Sequence, residues 1–306
     1  ITYMDATQGW IPTTDDDVAD APYKGNSEGI FGFGQVGATK YSITNLVSNA
    51  GVVATDTTGV GTVRSYLAAC EYGGDKGIFG FGKSGATRYG MTNLVSNAGV
   101  VATDVTAVGT ARAELAACGY GEDKGIFGFG STGTRVATTN LVSNAGVVAT
   151  DVTGVGTARS YLAACEYGND KGIFGFGDDG SNVGMTNLVS NAGVVATDVT
   201  AVGTARAYLA ACSYGYDKGI FSFGSATAVT NLVSNAGVVA TDVTQVGTAR
   251  YDLAATQYGY DKGIFGYGND GSATAVTNLV SNTGVVATDV TGVGTARDVP
   301  AACSFN

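Results

Sequence analysis

The chain has 306 residues, with 16 basic and 26 acidic side chains for a net charge of −10, 48 Gly, 3 Pro, 5 Cys and no His. The missing histidine excludes a Ser-His-Asp triad and every histidine-bearing zinc site, and scarce Pro without Gly at every third position excludes collagen. Eleven basic and eleven acidic residues recur at fixed repeat positions and cancel, and the remainder forms no basic patch, so neither nucleic acid nor an anionic membrane surface is an expected partner. No apolar run reaches the length of a spanning helix, so no membrane insertion is expected.

Residues 1–25 precede any repeat. They hold the single Trp, Trp10, two of the three Pro, Pro12 and Pro22, and the polar run Thr13-Thr14-Asp15-Asp16-Asp17. We read them as a leader or attachment segment that contacts other proteins, with Trp10-Ile11 as a docking contact. A disordered linker is the alternative.

From Gly29 onward the chain repeats. Gly-Ile-Phe-Gly-Phe-Gly begins at Gly29, Gly77, Gly125 and Gly172, with variants at Gly219 and Gly263, so the copies lie 48, 48, 47, 47 and 44 residues apart. Val-Gly-Thr-Ala-Arg or a close variant ends at Arg64, Arg112, Arg159, Arg206, Arg250 and Arg297. A period of four dozen residues, rich in β-branched and aromatic residues and lacking any 3.6-residue pattern, predicts a four-stranded propeller blade.

One unit shows the expected elements in order. The first strand spans 160–167, a Gly-Asn-Asp-Lys-Gly turn follows, and the second strand spans 173–176. A variable loop covers 177–184, a third strand 185–190, the hairpin turn Asn191-Ala192-Gly193 and a fourth strand 194–199. Residues 200–205 cross to the next unit. The alternating Gly of the second strand is expected to clear one face so that a neighbouring backbone approaches. Tyr72, Tyr120, Tyr167, Tyr214 and Tyr258 are expected to fill the space between units. The first repeat lacks an Ala-Ala-Cys strand before it, whereas the last is followed by Ala301-Ala302-Cys303. The expected fold is therefore all-β: residues 26–306 form a six-bladed β-propeller closed by the C-terminal strand pairing into blade one.

The order of Arg, inner strand, aromatic strand ending in glycines, and two outer strands resembles the kelch class of propellers across residues 26–306. Two features depart from that class. The glycines alternate instead of standing adjacent, and the fourth strand carries Asp56, Asp104, Asp151, Asp198, Asp242 and Asp289 in place of Trp. The wording, with the leader Gly9-Trp10-Ile11-Pro12-Thr13, also resembles Gly-rich propellers of structural and fibre proteins in marine tailed phages. That resemblance implies a virion component or extracellular surface protein displayed for host attachment, contacting a host-surface glycan or receptor, and other virion proteins through residues 1–25.

Candidate chemistry is sparse. Cys70, Cys118, Cys165, Cys212 and Cys303 occupy equivalent positions, with Thr256 at the sixth. We read them as small buried apolar residues, not as a disulfide framework or a ring of soft-metal ligands. The run Asp178-Asp179-Gly180-Ser181-Asn182 lacks the spaced acid ladder of a calcium loop. The loop acids have no element fixing their separation, so catalysis is not expected, nor is a cofactor or metal. The repeated Arg and Asp are read as structural ties between loops or units, and the repeated Asp-Lys as a solvated turn. Variation points elsewhere: to the loops 35–42, 83–90, 131–137, 178–184, 225–228 and 269–275, and to the two residues after each Arg. Tyr66, Glu114, Tyr161, Tyr208, Tyr251, Asp252, Asp298, Asp178 and Asp179 are the expected ligand-binding set, because Tyr beside acids suits a sugar. Neutral variation of exposed loops is the alternative. Three functions follow: a structural or adhesive virion domain, a lectin-like module, or a kelch-type protein scaffold.

Overall fold

The computed structural model describes residues 2–5, 9–11, 26–106, 108–200 and 202–306. The fold is all-β, with no helix among the described residues. Six antiparallel sheets of three or four strands carry the architecture, alongside three two-stranded pairings. The first sheet joins Ala301–Phe305, Glu28–Gly32 and Thr44–Val47. The second joins Ala68–Tyr72, Lys76–Gly80 and Thr92–Val95, and the third Ala116–Tyr120, Lys124–Gly128 and Thr139–Val142. The fourth joins Ala163–Tyr167, Lys171–Gly175 and Thr186–Val189. The fifth joins Ala210–Tyr214, Lys218–Ser222 and Val229–Val233, and the sixth Ala254–Tyr258, Lys262–Gly266 and Thr277–Val280. The C-terminal strand enters the first sheet in the register Ala301↔Gly32, Cys303↔Ile30 and Phe305↔Glu28. Within residues 1–25, Thr2–Asp5 pairs with Gly9–Ile11. The Trp10 side chain, and with it the expected docking contact, lies outside what the structure describes.

Three local expectations need correction. The first strand begins at Ala163 and not at 160, because Tyr161 turns to φ 56° ahead of it. The fourth strand is not continuous: in the fourth unit it touches its neighbour only at the bridges Val189↔Val195 and Thr186↔Val199, and only Val243–Thr244 of the fifth unit forms a strand at this position. The cause is a side chain. Asn187 Nδ2 donates to Ala196 O at 3.0 Å and to Asp198 Oδ1 at 2.8 Å, taking the place of ladder bonds between the two bridges. The second strand also starts earlier than expected, at Lys171, and stops at Gly175 because Phe176 turns to φ 62°. The hairpin turn behaves as its sequence requires: Gly193 sits at φ 76° and donates to Ser190 O at 2.9 Å.

The sheets lock together through the spaces that glycine leaves, and side chains fill most of that space. A Cβ on Gly125 would stand 2.5 Å from Cys70 Sγ of the preceding sheet, and one on Gly80 would stand 2.6 Å from the Phe127 ring of the following sheet. Thus Cys and Phe are knobs and Gly the matching holes, and the expected close backbone approach is secondary. Inner-strand residues alternate. Ala68, Cys70 and Tyr72 turn between sheets and are buried, whereas Ala69 and Glu71 turn the other way. All five thiols are free and buried, and burial raises each thiol above its ordinary range.

The repeated Arg occupies the other end of the same interface. Arg159 is wholly buried. Its Nε donates to Phe176 O at 2.8 Å, Nη1 to Thr157 O at 3.3 Å and Nη2 to Asn187 Oδ1 at 2.6 Å, all around the fourth unit. Its guanidinium also lies 4.2 Å from the centroid of Phe129 in the third unit. Asp198 stands 3.7 Å from Nη1 and grips the crossing segment by accepting from Thr157 N–H at 2.9 Å and Thr157 Oγ1–H at 2.7 Å. Burial pushes the Arg159 pKa down to about 10, against the opposing pull of Asp198.

Backbone bonds repeat the same stitch from sheet to sheet. Gly73 N–H donates to Asp123 O, Gly121 to Asp170, Gly168 to Asp217 and Gly215 to Asp261. The Asp-Lys turn is therefore an inter-sheet tie as well as a local Asp–Lys ion pair. Two further bonds complete the series: Gly259 N–H to Ser27 O at 2.8 Å, and Asn306 N–H to Asp75 O at 3.0 Å.

Candidate binding site at the mouth of the inner strands

Just after each buried Arg, the chain enters an inner strand through a residue held at positive φ. These residues are Tyr66 (56°), Glu114 (63°), Tyr161 (56°), Tyr208 (61°), Asp252 (56°) and Val299 (49°). Such backbone is strained for a side chain, most of all for β-branched Val, and costs about 1–3 kcal/mol per residue. A cycle of hydrogen bonds offsets that strain. Glu114 N–H donates to Tyr66 O, Tyr161 to Glu114, Tyr208 to Tyr161, Asp252 to Tyr208, Val299 to Asp252 and Tyr66 back to Val299, at 2.8–3.3 Å. The strain occurs whatever the side chain, so it belongs to the frame. The side chains are what differ.

Those side chains line a cavity of about 80 Å³ together with Leu67, Leu115, Leu162, Leu209, Leu253 and Pro300. The rings of Tyr161 and Tyr208 lie 4.1 Å apart at 31°, flanked edge-on by Tyr66 at 6.1 Å and Tyr251 at 6.3 Å. Lys83 Nζ sits 4.1 Å over the Tyr66 ring and forms an ion pair with Glu114. Asp298 is buried at 8% exposure; Asn269 donates to its Oδ2 at 3.3 Å, and its Oδ1 has no hydrogen-bond partner. Burial, then the adjacent Asp298 charge, pushes the Asp252 carboxyl up to about 7. Burial, then Asp252, raises the Tyr66 phenol, and burial, then Glu114, raises Tyr161. Charges on opposite sides of the mouth therefore sense one another.

Of the residues expected from sequence, Tyr66, Glu114, Tyr161, Tyr208 and Asp252 converge on this cavity, with Tyr251 and Asp298 immediately behind them. Asp178 and Asp179 stand further out. Asp178 bridges Ser160, pairs with Arg135 and accepts from Gly180 N–H, while exposed Asp179 accepts from Ser181 N–H in its own turn. The variable loops do share this face, since Gln35 pairs with Asp298, Lys83 with Ser65, and Asn269 with Tyr251.

Sequence reasoning passed over the opposite end of the inner strands. There Glu71, Gly119, Glu166, Ser213, Gln257 and Ser304 edge a cavity of about 60 Å³. A Cβ on Gly119 would strike Glu166 Oε1, with Glu71 Oε1 3.2 Å away, so both carboxylates lean over the one position without a side chain. Glu71 Oε2 accepts from Asn26 Nδ2 and Ser304 Oγ–H, both at 2.7 Å. The signal was present: the residue after each Cys varies as freely as those after each Arg. The thiols themselves contact the glycines of the next sheet and do not form a ring of ligands; no cluster of metal-ligating side chains occurs among the described residues.

No family model matches the chain, and no match was found among curated proteins.

Proposed function

We propose that the six sheets close into a six-bladed β-propeller, sealed by the C-terminal strand, and that it serves as a non-catalytic attachment module whose aromatic and acidic mouth takes a glycan. Closure is supported by the two hydrogen-bond series that return from the last unit to the first. It is supported also by the pairing of Ala301–Phe305 with Glu28–Gly32. Display on a virion or other outer surface rests on the resemblance of the repeats to phage propellers. The observation that carries the binding reading is the convergence of Tyr66, Glu114, Tyr161, Tyr208 and Asp252 on one cavity, where flat apolar faces and hydroxyl acceptors stand together as a sugar ring requires.

A glycan array probed with the whole chain tests this. Binding is expected to fall at least tenfold, about 1.4 kcal/mol, in Tyr161→Ala and Tyr208→Ala. It should persist in Ser213→Ala at the opposite end. An array without signal, or signal indifferent to both tyrosine changes, would remove the reading.

A further inference from the structure

The mouth is chemically lopsided. Three carboxylates, Glu114, Asp252 and Asp298, face or back it, yet among the described residues one cation, Lys83, belongs to it. Lys83 is seated on one side: its ammonium rests over the Tyr66 ring and against Glu114, and its charge reaches Asp252 only across the mouth, where burial and Asp298 outweigh it. The reason is positional. The residue just past each Phe-Gly pairs with the residue just past an Arg. That position is Lys83 beside Ser65, but Asn269 beside Tyr251 and Gln35 beside Asp298. The half of the mouth holding Tyr208, Tyr251, Asp252 and Asp298 has the same furniture of rings and carboxylates with no ammonium seated on it. Asp298 is more than nine-tenths buried with Oδ1 unpartnered, beside the Asp252 carboxyl whose ionisation its charge opposes. An apolar ligand would leave both acids uncompensated, and a neutral hydroxyl answers only part of that deficit. A cation over a tyrosine face beside a carboxylate answers it fully, as Lys83 does across the mouth.

We propose that this open half is an ammonium receptor, so that the preferred ligand is a saccharide bearing a free amino group. The proposal rests on the glycan reading above but makes a separate claim about charge. Titration calorimetry with glucosamine, glucose and tetramethylammonium, on the whole chain and on Asp252→Asn, separates the two. Asn is nearly isosteric with Asp and tolerates positive φ, so the variant preserves the frame. Glucosamine is expected to bind at least tenfold tighter than glucose, tetramethylammonium to compete with it, and Asp252→Asn to erase the difference between the sugars. Equal binding of both sugars overturns the ammonium receptor while leaving the glycan site standing. Binding of tetramethylammonium with neither sugar overturns the glycan site and keeps the cation receptor. Silence from all three removes both.

Discussion

Removal of residues 301–306 is expected to unfold the whole chain and not merely to fray one sheet. The segment supplies the inner strand of the first sheet, with five paired positions against Glu28–Gly32. It buries Cys303 and Phe305, and the Phe305 ring lies against Gly99 of the next unit. It also carries the Asn306 bond to Asp75. Truncating one buried Phe alone costs about 3–5 kcal/mol, within a total stability of about 5–15 kcal/mol for an ordinary domain. The deletion further exposes an unpaired edge on both the first sheet and its neighbour's face. The truncated chain is expected to lose its cooperative thermal transition by near-ultraviolet circular dichroism, and a synthetic peptide of residues 299–306 added in excess is expected to restore it. A truncated chain that melts within a few degrees of the full one would show that the tail is an appendage.

The second large effect is expected from a single buried arginine. Arg159→Met removes three donors and the stacking contact with Phe129, and leaves Asn187 Oδ1 and Phe176 O without them. Removing one partner from a buried ionic network costs about 3–5 kcal/mol. Arg159→Lys is expected to recover little, because one ammonium replaces a planar fork that reaches three acceptors at once. Asp198→Asn is expected to cost less, since that carboxylate is part-exposed and stands 3.7 Å from the guanidinium. Urea unfolding followed by tryptophan-independent circular dichroism gives the midpoints. A loss under about 1 kcal/mol for Arg159→Met would mean that the arginine merely fills space, against the role assigned to it here.

These residues also show what the sequence made legible and what it did not. The strands, the hairpin glycine and the pairing of Ala301–Phe305 follow from repeat offset and turn chemistry, which are local or periodic signals. The residues after each Arg were found because variation against a constant frame marks a surface free to differ. The fourth strand is less regular than its valines suggest: they obey the alternation of a strand, while a side chain of the adjacent third strand, Asn187, takes the place of ladder bonds. Likewise Gly125 and Gly80 announce a close approach without naming the partner; only packing shows that a thiol and a phenyl ring arrive there. Arg159 lying between Phe129 and Asn187 joins three stretches far apart in sequence. The paired lean of Glu71 and Glu166 over Gly119 depends on neighbours brought together by the same packing.

Whether the six units close into a ring is open to a direct measurement. Val52, Val100, Val194 and Val285 are equivalent hairpin residues, each 64–66% exposed, in the first, second, fourth and sixth units. Spin labels at these positions, taken in pairs, report the separations by dipolar spectroscopy. A closed propeller predicts that the 52–285 distance equals the 52–100 distance and falls well short of 52–194. A 52–285 distance that is the longest of the three would describe an open row of sheets and contradict the account.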